Sequence, residues 1–220
     1  MRSRLIVLFA TAAVLVSACG SGDDDWSLPH AKPTAVGSLG AGFWDPKHPP
    51  PPEGTLRPQT GSWAAVHPSK GYRVVLLTTD EDAPTRTLSN AVDRWADDED
   101  VSLKTVAADD SGKLVDAIVE AMALKPDLIV ATGNRLSDPL ALVTASHLKQ
   151  QFLVLGAEVA EPTVNVTSAN WVGAAFRGEG LDMSSFYDPK TFTPERGDQA
   201  IRAGVAAVLN NLTGIVIQLP

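Results

Sequence analysis

The chain has 220 residues, 44% of them hydrophobic, and a formal net charge of −8. That length suits one ordinary domain with appendages, and the acidic balance excludes binding of nucleic acid or anionic lipid through a basic face. Cys19 is the single cysteine, which excludes an internal disulfide or a cysteine-based zinc site.

Arg2 and Arg4 precede an apolar run from Leu5 to Val16, followed by Ser17-Ala18-Cys19-Gly20. A basic start, a short apolar stretch and small residues before a cut describe a secretory signal over residues 1–18, too short to span a membrane stably. The ending Leu15-Val16-Ser17-Ala18-Cys19 resembles the bacterial lipobox, which implies lipidation of Cys19 and an anchor on the extracytoplasmic face of the cell membrane. An ordinary signal with a chance cysteine is the alternative. Removing the signal takes away two arginines and leaves a charge near −10.

Residues 19–70 differ sharply in composition from the rest of the chain. Nine of the 16 prolines fall between Gly20 and Ser69, including Pro49 to Pro52, beside an Asp23-Asp24-Asp25 cluster. The composition is that of a Pro/Gly-rich tether, partly extended as polyproline II. Yet Trp26, Trp44 and Trp63 lie within it, and disordered tethers are poor in aromatics. Either part of this arm, especially Phe43-Trp44 and Trp63 to Val66, packs on the domain, or the whole is a loose linker.

From residue 71 to 220 strand and helix signals alternate. Val74 to Leu77 is a buried strand ending in Thr78-Thr79-Asp80, and Asp82 can cap the next helix with Pro84 in its first turn. Leu88, Ala91, Val92 and Trp95 share a face of that helix. Val101 to Ala107 is a second strand. Ser111 can cap a helix carrying Leu114, Ile118, Ala121 and Met122. The central element is Lys125-Pro126-Asp127-Leu128-Ile129-Val130-Ala131-Thr132-Gly133. Its unbroken apolar run from Leu128 to Ala131 marks a strand covered on both faces. Ser137 can cap a third helix bearing Leu140, Val143 and His147, and Phe152 to Leu155 form a fourth buried strand. Val164 to Ser168 make a fifth, more polar strand expected near the sheet edge. A short helix through Val172, Ala175 and Phe176 follows, then a loop from Gly178 to Arg196. A helix over Ala200 to Leu209 and a strand over Ile215 to Ile217 complete the chain. Five or six β-α units in a row predict an α/β fold with one doubly wound parallel sheet and helices on both faces.

In such a sheet, ligands sit at the carboxyl ends of the strands, at the point where successive helices leave to opposite faces. With strand order 2-1-3-4-5, Thr78, Thr79 and Asp80 from one strand and Thr132, Gly133 and Asn134 from another flank that point. Glu158 and Asn170 can contribute from the next two strand ends. Ordinary turn residues are the alternative for this rim. Asp80-Glu81-Asp82 is similar to the paired aspartates of haloacid-dehalogenase-like phosphatases. Two threonines separate it from the strand, however, and no acidic pair follows the fourth strand to hold magnesium, so an Asp-dependent phosphohydrolase is a minor reading. No Gly-x-Ser-x-Gly elbow or phosphate-cradling glycine loop occurs, and His30, His48, His67 and His147 are scattered. No cofactor or metal is implied.

Lys125 to Gly133, the helix from Asp138 and Gln151 to Leu155 together resemble the basic membrane protein family of lipoprotein substrate-binding proteins. Asn165-Val166-Thr167-Ser168 with Gly173 and Phe176 is similar to that family's Pro-Asn-Val-Ala strand and Glu-Gly-Ser-Phe helix. Ala203 to Val205 through Gly214 to Val216 is similar to its C-terminal helix and last strand. The resemblance implies one lobe of a type I periplasmic-binding fold, an ABC permease as partner and a small polar solute, often a nucleoside, as ligand. Departures are equally specific. Thr85-Arg86-Thr87 stands where the family has Ser-Phe-Asn, Gly156 stands where it has Asp, and the second lobe is missing. A reduced, non-catalytic lobe with weak or vestigial binding, or a role in protein interaction, is therefore expected. The alternative is a solute-binding protein completed by a homodimer partner or by its own aromatic arm.

Overall fold

The structure, a computed structural model, describes residues 25–79, 82–108, 110–175 and 187–220. Its centre is a parallel sheet of seven strands. In chain order the strands among the described residues are β1 (Ala35–Val36), β2 (Thr55–Leu56), β3 (His67–Pro68), β4 (Arg73–Thr78), β5 (Ser102–Ala107), β6 (Leu128–Thr132), β7 (Gln151–Leu155), β8 (Val166–Asn170) and β9 (Val216–Gln218). The helices are α1 (Ala83–Asp98), α2 (Leu114–Ala123), α3 (Ser137–Thr144) and α4 (Pro194–Leu209). The main sheet runs β2-β9-β8-β7-β6-β4-β5, and β1 pairs with β3 in a small antiparallel ribbon. Counting from β4, this is the anticipated order 2-1-3-4-5 extended by β9, with β2 added from the N-terminal arm.

Alternation along the strands sorts their side chains into two cores. Val74, Leu76, Val130 and Leu153 face α1 and α4, while Val75, Leu77, Ile129 and Phe152 face α2 and α3. The continuous apolar runs in the sequence arise because both faces are covered. Each such buried aliphatic contributes about 1.5–3 kcal/mol relative to exposure. Asp82 caps α1 as expected, its carboxylate accepting from the Thr85 N–H at 2.7 Å with Pro84 in the first turn.

Several local expectations differ. Ser137 is the first residue of α3 rather than its cap, because a 3-10 turn over Asn134–Leu136 runs directly into the helix. Asp110 caps the turn before α2, accepting from the Gly112 N–H at 2.9 Å, and Ser111 lies inside that turn. The fifth strand of the domain, β8, lies in the sheet interior, since β9 and β2 pair beyond it. Its Thr167, Ser168 and Asn170 are buried despite their polarity. Helix α4 begins at Pro194, capped by Thr193, so part of the expected loop is helical. Val172 to Ala175 form a turn, with Ala175 bridging to Ala157, and Phe176 lies outside the described residues.

The arm from Asp25 onward lies against the domain. Phe43 and Trp63 are buried in the α1/α4 core with their rings 6.5 Å apart. Trp26 is buried in the opposite core. Strand β2 completes the sheet through parallel pairing of Thr55 and Leu56 with Val216 and Ile217.

Candidate functional site

The carboxyl ends of β4 and β6 are adjacent and in register, with Thr78 opposite Thr132. Helix α1 leaves β4 to one face and α3 leaves β6 to the other, so the switch point falls between them. Two of the rim hydroxyls there share one partner on α1. The Ser89 hydroxyl on α1 lies 3.0 Å from that of Thr78 and 2.9 Å from that of Thr132. All three residues are buried, as is Thr79. This chain of hydroxyls ties helix to sheet, and Ser89 escapes sequence reasoning because it reads as an ordinary helix residue. Gly133 has φ +105°, and a Cβ there would collide with the Thr79 hydroxyl. Asn134 opens the following turn. Asp80 lies outside the described residues.

Two strands further on, the Asn170 amide donates to the Glu158 carboxylate. Burial raises the carboxyl's pKa, and the bond from Asn170 opposes that shift. Asn170 is 4% exposed, and its Oδ1 has no partner among the described residues. The seven described rim residues therefore form two groups rather than one: those at the ends of β4 and β6, and the Glu158–Asn170 pair beyond β7. Inter-strand spacing puts the groups about 10 Å apart.

Between them stands Phe192. Gly156, at the end of β7, has φ +67°, and a Cβ there would come within 2.7 Å of the Phe192 ring. The Phe192 ring packs edge-on to Trp171 at 4.9 Å and is met by Tyr187 at 5.7 Å. The Trp171 indole donates to the Thr191 hydroxyl at 2.9 Å, and the Asp188 N–H donates to the Gly173 carbonyl at 2.9 Å. These contacts hold the segment from Tyr187 to Phe192 across the exits of β7 and β8. Burial, and then the nearby Asp82 charge, raise the Tyr187 phenol's pKa. What is left of the crevice, lined by Asp82, Gly133, Asn134, Gly156, Tyr187 and Phe192, is a cavity of about 10 Å³. That is no more than one water needs.

The tryptophans Trp44 and Trp63 of the arm lie away from this crevice. Trp63 is 4% exposed inside the core, and Trp44 lines a cavity at the other end of the sheet, beside the loops that enter β8 and β9. Sequence reasoning missed Trp171, Tyr187 and Phe192, which sit in or beside a stretch without periodicity. Among the described residues no group of three or more His, Cys, Asp or Glu side chains is placed to hold a metal ion.

No family model and no curated protein matches the chain. Solved structures do match. A fragment assigned as a lipoprotein from Peptoclostridium difficile 630 is 21% identical with a TM-score of 0.45, over 66% of this chain and 100% of that one. An ABC transporter solute-binding protein from Aeropyrum pernix K1 is 19% identical with a TM-score of 0.40, over 46% of this chain and 28% of that one. Another, from Bradyrhizobium sp. BTAi1 with bound Bis-Tris, is 12% identical with a TM-score of 0.41, over 88% and 60%. The chain thus spans less than two thirds of either solute-binding protein. At TM-scores under 0.5 these likenesses assign neither a family nor a ligand to it.

Proposed function

We propose that this chain is a lipid-anchored protein of the extracytoplasmic face, held through Cys19. It would be a one-lobe relative of the basic membrane protein family and act as a non-catalytic interaction module rather than a solute receptor. The observation that carries the reading is the Phe192 ring seated on Gly156, which fills the crevice where such a fold takes its ligand. The Thr78 and Thr132 hydroxyls both bond the Ser89 hydroxyl of α1, which leaves them poorly placed to recognise a polar solute.

A second reading, binding of a small polar solute, draws on the buried Oδ1 of Asn170, which lies beside Glu158 and has no partner among the described residues. An unpaired buried acceptor costs about 1–3 kcal/mol, which a ligand donor would recover. Thermal denaturation of the mature chain with nucleosides, sugars and amino acids at millimolar concentration separates the two. A ligand at ten times its Kd stabilises by about 1.4 kcal/mol. The first reading predicts no shift with any of them, and a reproducible rise in Tm with one class establishes the second.

A further inference from the structure

The amino-terminal end of the sheet carries a clasp that the rim chemistry does not use. Arg73, the first residue of β4, is 5% exposed, and its guanidinium donates to the carbonyls of Asp25, Trp26 and Leu28 at 3.3, 3.2 and 3.0 Å. The Trp26 indole is buried and donates to the hydroxyl of Ser102, the first residue of β5, at 2.9 Å. The Lys104 ammonium lies 4.5 Å from the centre of its ring. Asp127, immediately before β6, accepts from the Arg73 N–H at 3.0 Å and meets His30 at 2.8 Å. The chain is thus fixed to the entry points of three adjacent strands from Asp25 onward. Cys19 is six residues earlier, and a fully extended chain of that length spans about 20 Å.

We propose that the amino-terminal edge of the sheet is the surface this protein lays against a phospholipid bilayer, with the opposite edge, where Phe192 sits, facing away. The proposal rests on the reading of Cys19 as lipidated. A tether of about fifty residues would leave the domain free to turn, whereas a reach of about 20 Å keeps the clasped edge beside the headgroups. The surface on that edge suits the partner. Leu28, Leu148 and Val164, in the segments that meet or enter β4, β7 and β8, are 59%, 52% and 61% exposed. Leu148 also stands between two concavities of about 780 and 620 Å³ on the same edge. Exposed aliphatics around a concave apolar face mark a contact surface, and at a bilayer each buried CH₂ would add about 0.8 kcal/mol. The acidic overall charge makes this an apolar contact rather than attraction to anionic lipid.

Because Cys19 is the single cysteine and its sulfur is consumed by lipidation, an introduced cysteine is the only free thiol. K149C and V164C place a fluorophore on the amino-terminal edge, and V172C, where Val172 is 81% exposed, places one on the opposite edge. The full lipidated chain is reconstituted in phosphatidylcholine vesicles carrying a headgroup energy acceptor. Transfer from positions 149 and 164 should exceed that from 172 at least about twofold, since a five-residue strand alone separates the edges by about 17 Å. Equal transfer from all three, or more from 172, overturns the proposal. Mass spectrometry of the same sample distinguishes the reason. An acylated Cys19 with equal transfer defeats the orientation alone, whereas an unmodified Cys19 defeats the lipidation reading and the orientation with it.

Discussion

At Gly156 two constraints meet. Its φ of +67° lies where side chains are strained, and the Phe192 ring and the Leu88 side chain approach within 2.7 and 2.9 Å of where a Cβ would stand. Gly156→Ala should therefore destabilise the fold by about 3 kcal/mol through strain and overpacking combined, read as a lower urea midpoint at unchanged slope. A midpoint equal to that of the wild type would show that Phe192 yields freely. Glu158 makes a second residue-scale prediction. Burial holds its folded pKa above the ordinary 4.5, so the folded state binds more protons than the unfolded state in the window that opens upward from that value. Stability contributed there is present below the window and lost as pH rises through it. Glu158→Gln keeps an oxygen for the Asn170 amide and cannot titrate. Urea midpoints measured across the window should fall with pH in the wild type and less steeply in the variant. Parallel profiles would contradict the burial argument.

Among the elements, the arm is the least expected in its detail. Strand β2 is two residues long, bounded by Gly54 and Arg57-Pro58, and has no period of its own. It exists because the edge of β9 presents unpaired backbone groups, and the Glu53 and Val216 amides bond across at 2.9 and 3.0 Å. Arg73→Met removes the donor that three carbonyls share in a buried setting, at a cost of about 3 kcal/mol. Limited proteolysis should then cut first between residues 25 and 34 while the sheet persists. Cutting at the wild-type sites and rate would contradict the clasp. Strands β4, β6 and β7 are legible in the sequence because a segment buried on both faces must be largely apolar, and Asp82 with Pro84 announces α1 by its chemistry. The segment Val164 to Ser168 reads as an edge strand because Asn165, Thr167 and Ser168 look solvent-facing, although β9 pairs beyond it and all three are buried. Helix α4 starts six residues before its apolar period does, since Pro194 and Gly197 look like loop residues. Proline is nevertheless favoured in a first turn, and Gly197 lets α4 approach Ala91 of α1.

In the whole molecule the two ends of the sheet have separate chemistry. The carboxyl end carries the residues that sequence reasoning selects, and the structure brings Thr78, Thr132 and Gly133 together there. What the sequence could not reveal is that a segment more than thirty residues beyond Gly156 folds back to occupy the space between them and Glu158. Contacts of that kind are set by tertiary closure and leave no local period. The amino end holds the arm, the clasp and the larger concavities, and so supplies the surface assigned to the bilayer. The account turns on whether Phe192 is a fixed part of the core or a movable cover, and thermal unfolding of the mature Phe192→Ala chain decides this most directly. A packed, half-buried ring predicts a loss of about 2 kcal/mol and a Tm lower by about 4–8 °C. A Tm within about 1 °C of the wild type would mean that the ring contributes nothing to the folded state and that the crevice is open to a ligand after all.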